Sequence, residues 1–319
     1  MAGRFVGHVV VITGASSGVG RACARAFADE GAKLGLIARS VEGLDGAARE
    51  ARAAGGRALV LPLDVADADA VELAVARVED ELGPIDIWVN NAMVSVFSPI
   101  AEMTAEEFRR VTEVTYLGYV YCTLSVLKRM RPRNRGTIIQ IGSALVYRSI
   151  PLQSAYCAAK AAIRGFTDSL RTELLHEHSA IQVSMLQLPA VNTPRFDVVR
   201  TRLPGHPQPV PPIYQPEMIA EAVLWAAERH PREMVIGGSA LKAIVGQKLI
   251  PGLLDRYLAR TGFASQQADY PVEPNRPDNL YDPTPGDHGA HGSFDERAQP
   301  WAPQLTARMH PLAFVTGLL

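Results

Sequence analysis

Cysteine is scarce in this sequence, and its few residues do not form a disulfide framework or a metal site. Cys23, Cys122 and Cys157 are the three cysteines in 319 residues, and all three fall in segments with helical periodicity. Disulfide scaffolds and zinc modules need paired, closely spaced cysteines. We therefore expect reduced packing residues in a cytoplasmic protein.

Charge of one sign and long apolar runs are also missing. Lys and Arg number 32 against 33 Asp and Glu, a formal net charge of −1, and no basic stripe is visible, so a nucleic acid partner is not expected. No apolar run approaches the roughly 18 residues of a spanning helix. A strand signal begins near residue 8, which leaves no room for a signal peptide. A hydrophobic content of 47% instead indicates an ordinary globular chain.

The clearest local pattern lies near the N-terminus, where a β-branched run, 8–13, precedes a glycine-rich turn and then a segment with helical periodicity. Residues of the turn predicted to contact a ligand are Gly14, Ser16, Ser17, Gly18, Val19 and Gly20. A strand, a glycine turn and a helix in this order favour a dinucleotide, because the helix N-terminus offers free N–H groups to a pyrophosphate. A purely structural turn is the alternative.

The end of the second predicted strand bears on which dinucleotide is bound. Folds that prefer NAD usually place a carboxylate there for the ribose 2′-hydroxyl, whereas this chain has Arg39 and Ser40. A guanidinium and a hydroxyl suit a 2′-phosphate. NADP(H) is the preferred prediction and NAD(H) stays possible; Arg39 as a solvated residue without a cofactor role is the alternative.

Strand and helix signals then alternate along the chain, with strands at 57–63, 85–89 and 181–188 and a long helix at roughly 105–130. Repeated βα units predict a Rossmann-type, doubly wound parallel sheet in one α/β domain. Ligands bind at the carboxyl edge of such sheets. Residues predicted to reach the cofactor at this edge are Asp64, Val65, Asn91, Ala92, Pro189, Val191 and Thr193. Asp64 is expected to accept a hydrogen bond from the adenine amino group.

A tyrosine and a lysine four residues apart indicate proton-transfer chemistry. Tyr156 and Lys160 would lie on one face of a helix starting near Ser154. A phenol beside a fixed cation can act as an acid or base. Ser143, at the end of the strand before this helix, is placed to hydrogen-bond a substrate oxygen.

Taken together, these motifs resemble the short-chain dehydrogenase/reductase family in order and approximate spacing over residues 5–240. The resemblance implies that Ser143 polarises the substrate carbonyl or hydroxyl, Tyr156 is the general acid or base, and Lys160 lowers the tyrosine pKa and binds the nicotinamide ribose, with both Tyr156 and Lys160 contacting the cofactor. It also implies a homo-oligomer; a dimer is slightly favoured, because a C-terminal arm over the last strand would block the further association that makes tetramers.

Two positions depart from that family. Met93 replaces the glycine that usually follows Asn-Asn-Ala, and Thr115 stands where an asparagine usually holds a water of the proton relay. Met93 is expected to narrow the substrate pocket. Thr115 is interpreted either as a relay hydroxyl or as a packed helix residue.

The predicted lid, 195–215, is proline-rich with few periodic signals. Its apolar residues, together with others near the catalytic segment, predict an apolar pocket and a fairly hydrophobic substrate. The overall prediction is an NADP(H)-dependent oxidoreductase that interconverts a secondary alcohol and a ketone. The alternative is a dinucleotide-binding sensor or scaffold with little turnover.

The C-terminal part falls outside the resemblance. We divide it into amphipathic helices at 241–263, broken at Pro251, and an extended arm at 264–319. The helices are expected to pack on the core or on a second subunit, with membrane contact as the less favoured alternative. His288 and His291 with Asp287 are too few ligands for a metal site, and none is predicted.

Large apolar residues spaced through the arm predict that it is largely ordered without much regular structure, and seated near the lid on the globular body or on a second subunit. These anchors are Phe263, Tyr270, Leu280, Tyr281, Phe294, Trp301, Leu305, Leu312 and Phe314.

Overall fold

A parallel sheet of seven strands forms the centre of the computed structural model, which describes residues 3–309. The strands of this sheet are β1 Val9–Thr13, β2 Lys33–Ala38, β3 Arg57–Pro62, β4 Ile87–Asn90, β5 Thr137–Ser143, β6 Gln182–Leu188 and β7 Glu233–Val235. Their spatial order is β3-β2-β1-β4-β5-β6-β7, and every pairing is parallel. The predicted doubly wound α/β fold is confirmed.

Helices cover both faces of the sheet. They are α1 Gly18–Asp29, α2 Val41–Ala53, α3 Ala68–Leu82, α4 Ala105–Thr112, α5 Gly118–Arg133, α6 Ser154–His176, α7 Arg195–Val198, α8 Pro216–Arg229, α9 Gly238–Leu249, α10 Pro251–Thr261 and α11 Pro303–Met309. One apolar core lies between the sheet and α1, α2 and α8, and a second lies between the opposite face and α3, α5 and α6.

The first strand shows why its sequence is a continuous apolar run. All five of its residues are buried, with Val10 and Ile12 in the core under α1 and Val9 and Val11 in the core under α3. A central strand of a doubly wound sheet is covered on both faces, so polar alternation is lost. The strand is therefore held in place from both sides, and its end fixes where the glycine turn starts.

The segment expected to be one helix, 105–130, is divided in the structure. Thr104 caps α4 through a reciprocal capping box with Glu107, and a π-helical turn, Glu113–Leu117, separates α4 from α5. The helix also continues to Arg133, past the predicted end at Met130. A π-helical turn adds a residue without ending the helix and is frequent near functional sites; here it contains Thr115.

Short strands tie the lid to the arm. Gly205–Pro207 pairs antiparallel with Gln267–Pro271, and Ile213–Tyr214 lies between Ala190–Val191 and Ala298–Gln299. A further pair joins Val96–Phe97 to Arg200–Thr201. Single 3₁₀ turns occupy Ile100–Glu102, Ala144–Val146, Ala264–Gln266 and Asp295–Arg297. Arm and lid therefore share backbone hydrogen bonds.

The predicted anchors of the arm divide into two groups. Leu280, Phe294 and Leu305 are buried, at 0%, 4% and 3% exposure. Four others are exposed and are not seated on the body of this chain, so for them contact with a second subunit stays a prediction: Phe263, Tyr270, Tyr281 and Trp301. Leu312 and Phe314 lie outside the described residues. A few deeply inserted side chains, rather than a continuous apolar strip, thus attach the arm.

Helices α9 and α10 bury little of their apolar surface within this chain. Ala240 and Ile244 are buried, whereas Leu249, Leu253 and Tyr257 are exposed. Only the side of α9 that carries Ala240 and Ile244 therefore packs against the core of this chain. Within residues 3–309, no helix is both long and apolar enough to cross a membrane.

Candidate active site

The glycine turn adopts a conformation that requires glycine. Gly14 and Gly18 have φ of +68° and +57°, in the left-handed region. A side chain at Gly20 would place its Cβ 2.1 Å from the Gly14 carbonyl oxygen, so α1 could not approach β1. The turn therefore holds the N-terminus of α1 directly above the end of β1.

A single cavity of about 430 Å³ follows the carboxyl ends of the strands from this turn to α6. The predicted site residues that line it are Gly14, Ser16, Ser17, Gly18, Val19, Arg39, Ser40, Asp64, Val65, Asn91, Ala92, Ser143, Tyr156, Lys160, Pro189, Val191 and Thr193. Gly20 and Thr115 do not line it. Parallel strands end at one edge, which is why residues distant in sequence share this cavity.

Lys160 is buried and directed at the backbone of β5. Its Nζ donates to the Ile141 carbonyl at 2.7 Å and to the Tyr119 hydroxyl at 2.9 Å, and lies 5.9 Å from the centre of the Tyr156 ring. Burial lowers the pKa of Lys160 from its usual 10.5 to about 7, with a smaller contribution from the nearby Arg195 cation. The lysine thus titrates near neutrality.

Ser143 ends β5 with its hydroxyl at the cavity. Gln187 on the neighbouring β6 accepts the Ser143 backbone N–H at 2.9 Å, and the Ser143 Oγ accepts the N–H of Leu145 at 3.2 Å. These bonds fix the backbone and the oxygen while leaving the hydroxyl proton without a protein acceptor in residues 3–309. The hydroxyl is available to donate to a ligand.

Thr115 does not touch the lysine. Its hydroxyl donates to the Val94 carbonyl at 2.8 Å and accepts the Val94 N–H at 3.1 Å, and the residue is fully buried. Tyr119, one helical turn later, contacts Lys160 and also donates to the Ile141 carbonyl at 3.0 Å. Sequence reasoning did not select Tyr119; its i+4 spacing from Thr115, on the same helix face, is the signal that could have found it.

At the opposite end of the cavity, three backbone carbonyls of the arm surround Arg39. Its guanidinium donates to the oxygens of Asn279, Leu280 and Tyr281. Leu280 is fully buried in the core under α3. Arg39 is therefore neither a simple solvated residue nor a free cation.

Asp64 is likewise engaged by the protein. Its carboxylate pairs with Arg110 of α4 and accepts the N–H of Ala66 at 3.0 Å, while Arg110 also donates to the Leu280 carbonyl at 3.1 Å. The predicted hydrogen bond from an adenine amino group to Asp64 would have to coexist with this ion pair. No local pattern points to Arg110 as the partner of Asp64, because the two residues are 46 positions apart.

The arm then crosses the glycine turn. Gly289 accepts the backbone N–H of Gly18 at 3.0 Å, and Asp287 pairs with the buried Arg21 of α1 at 3.1 Å. Arg21 also bonds Glu50 of α2 at 2.9 Å. The arm residues Pro283, Thr284, Gly286 and His288 line the cavity. The arm thus covers the cavity from Arg39 to the start of α1.

The histidines of the arm have protein partners. His288 bonds the Thr284 hydroxyl at 2.9 Å, and His291 lies 2.9 Å from Glu217 and 2.8 Å from Asp295. Among residues 3–309, no group of three or more His, Cys, Asp or Glu side chains is arranged to hold a metal ion.

The cavity wall fits a dinucleotide. Gly14 and Gly18 are so close to Ala92 and Thr193 that an added Cβ would lie 2.9 Å and 3.1 Å from them, which leaves a bare backbone edge where a phosphate needs close approach. Gly14, Gly18, Arg39 and Lys160 would hold such a group along one continuous surface. A doubly wound parallel sheet with a glycine turn and this cavity at its carboxyl edge is the arrangement expected of a nucleotide-dependent oxidoreductase.

A family model described as "short chain dehydrogenase" matches residues 8–203, and the chain belongs to this family, the NAD(P)-dependent short-chain dehydrogenases/reductases. It is 35% identical over 285 residues to the "Uncharacterized oxidoreductase YxnA" of Bacillus subtilis, covering 88% of this chain and 80% of the relative. It is also 41% identical to the human "Dehydrogenase/reductase SDR family member 7", over 52% of this chain and 50% of that protein.

Two solved structures share the fold. Levodione reductase superposes with a TM-score of 0.65 at 28% identity, over 75% of this chain and 99% of its own. A metagenomic short-chain oxidoreductase in complex with NADP has a TM-score of 0.62 at 29% identity, over 73% of this chain and 97% of its own. About a quarter of this chain thus lies outside each superposition.

Proposed function

We propose that the protein is an NADP(H)-dependent oxidoreductase that interconverts a secondary alcohol and a ketone on a small molecule. The observation that carries this proposal is the convergence of Ser143, Tyr156 and Lys160 on the cavity that also contains the glycine turn. When bound, the nicotinamide accepts or supplies the hydride. The side chains of this chain then have to handle only a proton and the substrate oxygen.

Each side chain has a distinct role in this proposal. The Tyr156 hydroxyl gives or takes the proton of the substrate oxygen, and the free Ser143 hydroxyl proton hydrogen-bonds that oxygen. Lys160 provides a positive charge behind the tyrosine ring, and its bonds to Ile141 and Tyr119 hold it there. Tyr119 positions the lysine, whereas Thr115 holds the backbone of Val94. Because Thr115 makes no hydrogen bond to Lys160, the geometry does not support a proton relay through Thr115.

The cofactor preference rests on Arg39. A guanidinium at the end of β2, with Ser40 beside it and no carboxylate in that strand, suits a 2′-phosphate. The likeness to a solved relative in complex with NADP supports this assignment. In the structure the arm carbonyls compete for the same guanidinium, so cofactor binding would exchange those bonds for bonds to phosphate.

The sensor or scaffold alternative has one observation in its favour. The arm occupies donors that a dinucleotide would use, the Gly18 N–H and Arg39. A protein whose cofactor is held under such a cover could turn over slowly. Fluorescence titration with NADPH, followed by absorbance assays on a panel of ketones, aldehydes and quinones, separates the two functions, because binding without any NADPH oxidation would favour the alternative.

The quaternary state is part of the same proposal. Exposed apolar side chains on α9 and α10, such as Leu249 at 74% and Tyr257 at 60%, are compatible with the homo-oligomer, preferably a dimer, that the family resemblance implies. Light scattering of the full chain tests it. A monomer at micromolar concentration would contradict this part alone.

A further inference from the structure

Arg195 places a second cation beside the proposed catalytic tyrosine. It begins α7 and lines the cavity, and its guanidinium carbon lies 4.5 Å from the centre of the Tyr156 ring. Its Nη2 donates to the Gln153 side chain at 3.0 Å, and the guanidinium is also near enough to the Tyr156 hydroxyl to interact with it. Sequence reasoning placed this arginine at the start of the lid without giving it a role.

No carboxylate in the part of the chain that the structure describes pairs with Arg195. Its Nε is enclosed without a hydrogen-bond partner. Burial lowers the pKa of Arg195 as it does that of Lys160. A buried cation without a counter-ion is costly unless a ligand supplies the negative charge.

Its neighbours identify which part of the cavity it faces. The guanidinium lies 5.8 Å from the Phe97 ring and 5.6 Å from the Phe196 ring, and it bonds Gln153. Phe97 and Phe196 belong to the apolar cluster that packs the lid, and Gln153 and Phe196 line the cavity together with Tyr156. None belongs to the glycine turn or to the end of β2, where the phosphates of a dinucleotide would lie. Arg195 therefore faces the substrate side.

We propose that Arg195 is a specificity-determining residue that binds a carboxylate of the substrate, so that the site acts on oxo acids and the corresponding hydroxy acids. This inference rests on the proposed function and adds one charged group to the predicted apolar pocket. A planar guanidinium that no carboxylate of residues 3–309 neutralises suits the carboxylate of a ligand. Phe196, which lines the cavity, would contact the apolar remainder of the acid.

The reaction balances without a further reactant. In the oxidative direction, the C–H electron pair of the hydroxy acid leaves as hydride for NADP⁺, and the hydroxyl proton passes to Tyr156 and then to solvent. The products are the oxo acid, NADPH and one proton. The carboxylate is unchanged throughout, so Arg195 acts by binding and orientation.

Binding to the NADP⁺ complex tests the inference without requiring turnover. Phenylacetate and phenylacetamide have the same shape and differ in charge, and calorimetry measures both. We expect the wild-type complex to bind the carboxylate at least ~10-fold more tightly, and Arg195→Met to abolish that difference. Arg195→Lys should retain part of it. Arg148→Met is the matched control, because Arg148 pairs with Asp255 and does not line the cavity.

Steady-state kinetics provides a second test. Across aromatic and aliphatic 2- and 3-oxo acids and their methyl esters, at least one acid should exceed its ester in kcat/KM, and Arg195→Met should reduce kcat/KM for that acid by roughly 10²-fold while changing the ester little. Melting temperature and NADPH affinity of the variant show that it is folded and binds cofactor.

Four outcomes would overturn the inference. One is equal binding of acid and amide by the wild type. Another is an equal reduction of kcat/KM for acid and ester in Arg195→Met, together with a shifted pH profile of kcat/KM. That result would mean that Arg195 acts through Tyr156 and does not bind a carboxylate. Weaker NADPH binding by Arg195→Met would assign it to the cofactor, and tighter binding of phenyl phosphate than of phenylacetate would assign it to phosphate. Retained acid selectivity in binding with no turnover of any substrate would support the anion site and refute only the proposed reaction.

Discussion

The two ends of the cavity treat buried charge in opposite ways. At the end covered by the arm, Arg21 is paired with Glu50 and Asp287, Arg110 with Asp64, and the Arg39 guanidinium with backbone carbonyls. At the proposed catalytic end, no carboxylate of residues 3–309 pairs with the cationic side chains of Lys160 and Arg195.

The difference indicates which groups the chain satisfies by itself. Charges at the covered end hold the fold and the arm together, so removing one of them should loosen the arm. The charges at the proposed catalytic end lack such partners within residues 3–309. Burying them costs free energy, which only a ligand or a reacting group can offset. Substitutions at the covered end should therefore change stability and cofactor binding, whereas substitutions at the proposed catalytic end should change turnover.

The largest effect is expected at the catalytic end. Tyr156→Phe removes the transferable proton and keeps the ring, so turnover should fall by about 10³-fold or more while NADPH still binds. Stopped-flow absorbance at saturating cofactor measures the first quantity and fluorescence titration the second. Tyr121→Phe on α5 is the control. Retained turnover in Tyr156→Phe would remove this tyrosine from the acid role.

Lys160 should link stability to pH. Its folded pKa, about 7, lies below the usual 10.5, so the unfolded chain binds more protons between these values and stability rises with pH across that window. Below about pH 7 the full cost of the buried charge is present. The free energy of unfolding of the wild type relative to Lys160→Met, from urea titrations at several pH values, should increase from pH 7 towards pH 10. A constant difference would show that the lysine titrates normally.

At the covered end, Leu280 is the strongest single attachment of the arm. Leu280→Ala should lower the free energy of unfolding by about 2–4 kcal/mol if the arm unfolds with the core. If the arm detaches alone, the same change should instead expose it to limited proteolysis and weaken NADPH binding. Leu249→Ala on the exposed face of α9 is the control. No change in any of these quantities would show that Leu280 does not attach the arm.

Deleting residues 264–319 removes the whole arm. We expect a lower melting temperature or a changed oligomeric state, and faster release of NADPH, because Gly18 and Arg39 lose their cover. Differential scanning calorimetry, light scattering and stopped-flow fluorescence measure these three properties. A truncated chain with unchanged mass, melting temperature and kinetics would show that the arm is dispensable.

Arg39 should give the smallest of these effects. Arg39→Asp should reduce the ratio of kcat/KM for NADPH to that for NADH by about 10-fold or more, because a carboxylate repels a 2′-phosphate and can accept from a hydroxyl. Arg57→Asp, at an exposed strand start, controls for charge. An unchanged ratio with a lower melting temperature would mean that Arg39 serves only to hold the arm carbonyls.

The sequence by itself determined the sheet, the glycine turn and the helix that carries the proposed catalytic residues. These features depend on short-range patterns: a β-branched run before Gly14, a tyrosine and a lysine one helical turn apart, and repeated βα units. Each pattern is set by backbone sterics or helical periodicity, which neighbouring residues specify. Family membership followed from the order of these patterns.

Only the tertiary structure decided the partners of the charged residues. Arg110 with Asp64, Asp287 with Arg21, and Gly289 with Gly18 join positions between 46 and 271 residues apart. The isolation of Arg195 is likewise visible only when every neighbour is in place. Pairing of this kind depends on how the arm and lid pack across the sheet edge, and no local sequence period encodes it.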